Sequence, residues 1–253
     1  MPHTPLFASE QFKGKTQEGL YGDVIEEIDY NVGRILDTVK KLGLDDNTYI
    51  IFTSDNGPWW IKGDDGGHCA PLRGAKTSAY EGGLRVPCIV RAPGKVPAGK
   101  TSDLVTSTID ILPTLAKLAN ANVPKDRVID GLDISNILHG KQKELQRPFF
   151  YYQHETLRAV RMGDWKLFIP GDVLQGKIVK RWPQHVAPED RVPVEELTLY
   201  NLKEDIGETT NVAEQYPDIV KQLMKQIDFI KEDLGYDEVI GKNSRKSNLV
   251  TNN

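Results

Sequence analysis

Thr48-Tyr49-Ile50-Ile51-Phe52-Thr53-Ser54-Asp55-Asn56-Gly57 is the stretch that decides how this chain folds. The run from Thr48 to Thr53 is β-branched and aromatic with almost no polar alternation, which predicts a strand covered on both faces. It ends in a carboxylate, an amide and a glycine. Ligands in open α/β sheets gather outside the carboxyl ends of the strands, which is where Asp55 and Asn56 fall. Both offer hard oxygen ligands suited to Ca²⁺ or Mg²⁺. An Asp-Asn-Gly run is also a common turn, and these residues alone leave that reading open.

Upstream, Val24, Ile25, Ile28, Val32, Ile35, Leu36, Val39 and Leu42 recur at helical spacing. They predict an amphipathic helix over about residues 17–42. Gly43 supplies a left-handed stop, and Leu44 can pack back on the last turn. Helix, glycine, the short turn Asp45-Asp46-Asn47 and then an apolar strand form the signature of an α/β parallel sheet. Near the start, Pro2 and Pro5 flank His3 and stiffen its backbone. An imidazole can protonate a leaving oxygen or hydrogen-bond an anion near neutral pH. Disorder is the ordinary state of a residue so close to a terminus.

Downstream comes a glycine-rich loop with Leu72-Arg73-Gly74-Ala75-Lys76, closed by Tyr80-Glu81-Gly82-Gly83. Glycine and alanine before Lys76 let the backbone approach a ligand closely. A lysine beside a cation makes sense where an oxyanion lies between them, because its ammonium acts as a point charge on sulfate or phosphate. A solvated loop lysine is the plainer alternative. Trp59, Trp60, His68, Tyr152, His154 and Arg158 are candidate pocket walls. Trp59 and Trp60 can stack on a sugar ring or simply pack in a core.

A second strand is expected over Val86–Arg91, a helix capped by Asp110 over about residues 111–121, and a short helical stretch at Ile134–Leu138. After Arg147-Pro148 the pattern changes. Short strands at 149–153, 157–162, 165–169 and 197–200 predict a small antiparallel sheet, with 171–193 as a long surface loop. Ile219, Val220, Leu223, Ile227 and Ile230 predict a last amphipathic helix over about residues 215–234. The organisation is then a large α/β part over 1–147, a small α+β domain over 148–240, and a disordered tail over 241–253.

Composition narrows the partners. The 253 residues are 39% hydrophobic and 27% charged with a net charge of −4, which is ordinary for a soluble globular protein and carries no nucleic-acid footprint. No apolar run approaches the roughly 18 residues that span a membrane. Met1-Pro2-His3-Thr4 lacks the basic-then-apolar pattern of a secretory leader. Cys69 and Cys88 make no disulfide framework and read as free thiols.

Taken in order, these motifs resemble the C-terminal half of a formylglycine-dependent sulfatase of the arylsulfatase type, within the alkaline-phosphatase-like superfamily. The landmarks are Met1-Pro2-His3, Thr53-Ser54-Asp55-Asn56-Gly57, Pro71-Leu72-Arg73-Gly74-Ala75-Lys76, Tyr80-Glu81-Gly82-Gly83, Asp110-Ile111-Leu112-Pro113, Arg161-Met162-Gly163-Asp164-Trp165-Lys166 and Leu199-Tyr200-Asn201-Leu202. The resemblance implies part of an α/β sheet sandwiched by helices, followed by a small domain with an antiparallel sheet and a helix. It makes Asp55 and Asn56 calcium ligands, Lys76 a sulfate contact, and His3 a contact to the sulfate or the departing alcohol oxygen. It implies a sulfated small molecule or glycan as substrate and a periplasmic, secreted or lysosomal parent. The family nucleophile is a formylglycine made from cysteine in a Cys-x-Pro-Ser-Arg setting, expected on an N-terminal half that this chain lacks. Cys69-Ala70-Pro71-Leu72-Arg73 satisfies Cys-x-Pro-x-Arg formally, without the serine and at a place where the resemblance puts no nucleophile. Calcium takes about six to eight oxygens, and Asp55 with Asn56 supplies about two or three. The chain alone is therefore expected to be inactive, and either self-associating or completed by an N-terminal fragment. A non-catalytic remnant or interaction fragment is the alternative, and a related phosphatase or phosphodiesterase fits the Asp55, Asn56 and Lys76 set less well.

Overall fold

A computed structural model describes residues 2–174 and 191–245. They fall into two compact units, 2–68 with 85–146, and 69–84 with 147–174 and 191–245.

In the first unit, helix α1 (Gly19–Lys41) follows the predicted periodicity. Gly43 stops it at φ +67°, and Leu44 N donates back to Val39 O at 3.0 Å. The segment before α1 is tied to it by carboxylates. Asp23, buried, accepts the backbone N–H groups of Gly14 (2.7 Å), Lys15 (3.0 Å) and Thr16 (2.9 Å), and these bonds hold its carboxyl below the usual range. Glu27 accepts from Ser9 N at 2.8 Å.

Strand β1 (Ile50–Thr53) pairs with β2 (Cys88–Arg91), with Phe52 opposite Ile89. Two expectations fail here. The pairing is antiparallel, and the ribbon is not covered on both faces: Phe52 is 38% and Ile89 63% exposed. An unbroken apolar run records what a strand can bury, not what arrives to cover it. Among the described residues, β1 and β2 have no third strand beside them. Asp45, in the turn before β1, grips Arg91 in a bidentate pair at 2.6 and 2.9 Å. Asp110 then organises the next connection. Its buried carboxylate accepts from Ser107 N and Leu132 N, both at 2.8 Å, ahead of α3 (Ile111–Leu118) and a short α4 (Ser135–Leu138). The helix expected to reach 121 ends earlier, with Asn120 in the left-handed region at φ +53°.

The second unit contains the expected antiparallel sheet. Strands β3 (Pro148–Gln153), β4 (Thr156–Met162), β5 (Trp165–Phe168) and β8 (Thr198–Asn201) lie in the order β3-β4-β5-β8. Two pieces of the expected long loop, β6 (Gly171–Leu174) and β7 (Arg191–Val194), instead form an antiparallel ribbon; residues 175–190 lie outside the described residues. Helix α5 (Pro217–Asp233) lays Leu223, Ile227 and Ile230 against Leu157, Val160, Leu167 and Leu199. Because side chains alternate along a strand, Phe168 and Tyr200 point the other way and pack with Ala79 and Tyr80 of the glycine-rich loop. Lys166 stands on that same side of β5.

Lys166 is fully buried there. Its Nζ lies 3.0 Å from Glu81 Oε1 and 2.8 Å from Glu208 Oε1, and 3.9 Å from the centroid of the Tyr151 ring. Glu81, at the start of α2 (Glu81–Leu84), also accepts from Tyr151 Oη and Arg161 Nη1, each at 2.5 Å. Burial alone would raise the Glu81 carboxyl; Lys166 and Arg161 more than offset this and bring it down to about 2. At Glu208, burial wins and the value is raised.

After α5, a small ribbon of β9 (Gly235–Tyr236) and β10 (Val239–Ile240) precedes backbone bonds from Lys242 N to Glu232 O and Asn243 N to Asp233 O, so the first residues of the expected tail fold back on the end of α5. Residues 246–253 of that tail lie outside the described residues. Among the described residues, no helix is long and apolar enough to cross a membrane.

Candidate active site

Asp55 and Asn56 follow the end of β1 after one intervening residue, Ser54. Ser54 beneath them is buried and its Oγ donates to Asn56 O at 3.2 Å. Asn56 Nδ2 donates to Gly57 O at 3.1 Å, so the amide nitrogen is engaged and its Oδ1 remains an acceptor. Asp55 is exposed. One carboxylate and one amide oxygen suit an oxygen-seeking divalent ion in kind but fall short of its roughly six to eight ligands. Among the described residues, no group of three or more His, Cys, Asp or Glu side chains converges into a fuller site.

The same unit brings His3 to Trp59. Their ring centroids are 5.4 Å apart, and Lys62 Nζ lies 4.4 Å from the centroid of the Trp59 ring. His3 Nδ1 is 2.9 Å from Thr4 O. A carbonyl only accepts, so Nδ1 carries the proton in the neutral ring and Nε2 is the basic nitrogen. Lys62 is buried, and burial draws its amine below the ordinary lysine value. Sequence reading passed over this lysine; its signal was a cation placed directly after Trp59-Trp60-Ile61. The turn carrying Trp59 is closed by Trp59 N donating to Gly66 O at 3.0 Å, and a Cβ on Gly66 would meet Trp59 O at 2.1 Å. Trp60 is a core residue at 7% exposure, and His68 is exposed.

Lys76 belongs to the second unit and is half-buried. Its loop is closed by Gly82 N donating to Arg73 O at 2.7 Å, and Thr77 beside it sits at φ +75° with Oγ1 donating to Lys76 O at 2.5 Å. The other candidates of this unit have structural settings. His154 occupies the β3–β4 turn at φ +56° and is exposed, and Tyr152 Oη donates to Gly235 O at 2.8 Å. Cys69 Sγ donates to Gly74 O at 3.2 Å and burial raises its thiol, the setting of an inert cysteine.

A model described as N-sulphoglucosamine sulphohydrolase, C-terminal, matches residues 75–233, and the Sulfatase model matches residues 1–121. The chain belongs to the sulfatase family. It is 36% identical over 242 residues to an N-acetylgalactosamine-6-O-sulfatase of Bacteroides thetaiotaomicron, a match covering 90% of this chain and 45% of that relative. It is 46% identical over 165 residues to human steryl-sulfatase, covering 63% of this chain and 28% of the relative. The crystal structure of a sulfatase from Pseudoalteromonas sp. superposes with a TM-score of 0.78 at 26% identity, over 94% of this chain and 48% of that one. The chain thus spans less than half the length of each of these sulfatases. Its fold is their alkaline-phosphatase-like α/β fold, with the antiparallel sheet and helix of the second unit.

Proposed function

We propose that this chain is the C-terminal part of a calcium-dependent sulfatase that hydrolyses a sulfate ester on a carbohydrate or an aryl alcohol. The observation that carries the reading is the ordered set of an Asp-Asn pair at the end of β1 and a lysine on a short closed loop, in a chain matched over residues 1–233 by two sulfatase models. Asp55 and Asn56 would hold the calcium. The ion, when bound, supplies positive charge to the sulfate oxygens. Lys76 would add a point charge to the same group. His3, with Nδ1–H committed to Thr4 O, would act in its doubly protonated form, passing the proton on Nε2 to the departing alcohol oxygen and keeping the one on Nδ1. Trp59 offers a flat face for a ring-shaped substrate, with His68 and His154 as further candidate contacts. The nucleophile would be a formylglycine on polypeptide outside these 253 residues, and this chain alone would be inactive. Such polypeptide would also cover the apolar side chains that the first unit leaves exposed.

The test is to express this sequence together with the coding sequence upstream of Met1 and a formylglycine-generating enzyme. The product is assayed on an aryl sulfate and on 6-sulfated N-acetylgalactosamine. Turnover that falls on chelation and in Asp55→Ala and Lys76→Ala supports the proposal. Confirmed formylglycine with no turnover on either substrate counts against it.

A further inference from the structure

We propose that Glu208 and Lys166 are positioning residues for Lys76, holding both ends of its loop from the small antiparallel domain. The role assigned to Lys76 rests on the function proposed above; the anchoring does not. A lysine has a long flexible stem, so it can hold an oxyanion in one place only if its backbone is fixed. The loop from Arg73 to Gly82 is closed on itself by the Gly82 N to Arg73 O bond at 2.7 Å. Both of its ends meet Glu208. At one end, Arg73 Nη1 donates to Glu208 O at 2.7 Å, while the guanidinium lies 4.0 Å from the Tyr80 ring centroid. At the other, Glu81 N donates to Glu208 Oε2 at 2.7 Å. Lys166 Nζ then bridges the two carboxylates from the fully buried floor of the sheet. Glu208 itself sits at φ +53°, a conformation that a glutamate adopts at a cost and keeps only when its surroundings fix it. Apolar residues would fill the same volume without the desolvation of four charged groups; what the ion cluster adds is a fixed register for the loop.

The experiment uses the 253-residue chain and two readouts on the loop. Amide hydrogen exchange follows Glu81 and Gly82, and competitive acetylation follows the amine of Lys76 against exposed lysines such as Lys100. The variants are Glu208→Gln and Arg73→Met, which cut opposite ends, with Leu223→Ala as a control that loosens the α5 packing on the opposite face of the sheet from the loop. In Glu208→Gln and Arg73→Met, exchange at Glu81 and Gly82 is expected to rise at least about tenfold, and Lys76 to acetylate at the rate of the exposed lysines. Leu223→Ala, compared at equal global stability, leaves both readouts at their wild-type values. If the loop readouts stay unchanged in both loop variants, or change equally in the control, the positioning role is overturned. A separate arm adds inorganic sulfate to the wild type. Loss of anchoring in the variants without sulfate protection of Lys76 in the wild type would sink the sulfate reading alone and leave the anchor standing.

Discussion

Glu81 is where one residue's chemistry governs the second unit. Its carboxylate is nearly inaccessible and is engaged by Lys166, Arg161 and Tyr151. Its folded value of about 2 lies below the ordinary 4.5, so it contributes stability that is present above pH 4.5 and is lost as the pH falls towards 2. Glu208 works in the opposite sense. Its raised value means that the folded state favours its protonated form, so its ionisation opposes folding as the pH climbs through that value. The expected outcome for Glu81→Gln is a flatter acid limb: urea unfolding at pH 3 and at pH 6 differs less than in the wild type. An unchanged difference would show that Glu81 is not the group titrating there. Lys166→Met leaves two buried carboxylates without their shared cation and is expected to cost about 3–5 kcal/mol in the same measurement.

Two helices with similar sequence patterns sit in different physical settings. On α5, Ile227 is fully buried against the sheet, whereas Ile35 on α1 is 58% exposed. Ile227→Ala is therefore expected to cost about 2–5 kcal/mol, through lost contacts and the cavity left behind. Ile35→Ala in the same chain should stay within about 0.5 kcal/mol, as surface substitutions do. Urea midpoints of the two variants check both values. This contrast marks how far the sequence could be read. Periodicity located α1, α5 and the four strands of the antiparallel sheet, because those patterns are local. It placed Asp55 and Asn56 just past a strand for the same reason. It did not reveal which apolar faces have partners, since β1 and α1 carry patterns that a buried element would also carry. Nor did it reveal the cluster of Glu81, Arg161, Lys166 and Glu208, whose members are up to 127 residues apart in pairing. Tyr80-Glu81-Gly82-Gly83 was legible as a motif, but a charge buried within it is set by distant strands. The β6–β7 ribbon was missed because its two pieces are short and separated by a long insertion.

Across the whole molecule, apolar burial is unequal. The clusters of buried apolar side chains among the described residues belong to the second unit. The first unit exposes Ile35, Leu42 (66%) and Leu44 on and after α1, Ile89 on β2, Leu112 (56%) on α3, and Val128 (73%); outside its clusters the second unit also leaves Phe229, Val239 and Ile240 exposed. At roughly 25 cal/mol per Å² of apolar surface removed from water, covering such side chains is favourable. The β1–β2 ribbon, with no third strand described beside it, adds backbone groups that another strand can pair with. The chain on its own is therefore expected to bind a hydrophobic dye and to elute from size exclusion above its monomer mass of 28.4 kDa. Ile35→Lys combined with Leu42→Lys should shift it towards the monomer while leaving the unfolding of the second unit unchanged, because neither residue belongs to that unit. Co-expression with a polypeptide that covers the first unit should lower dye binding. A monodisperse wild-type monomer that binds no dye would show that these side chains already have all the cover they need, and would remove the physical case for a completing N-terminal partner.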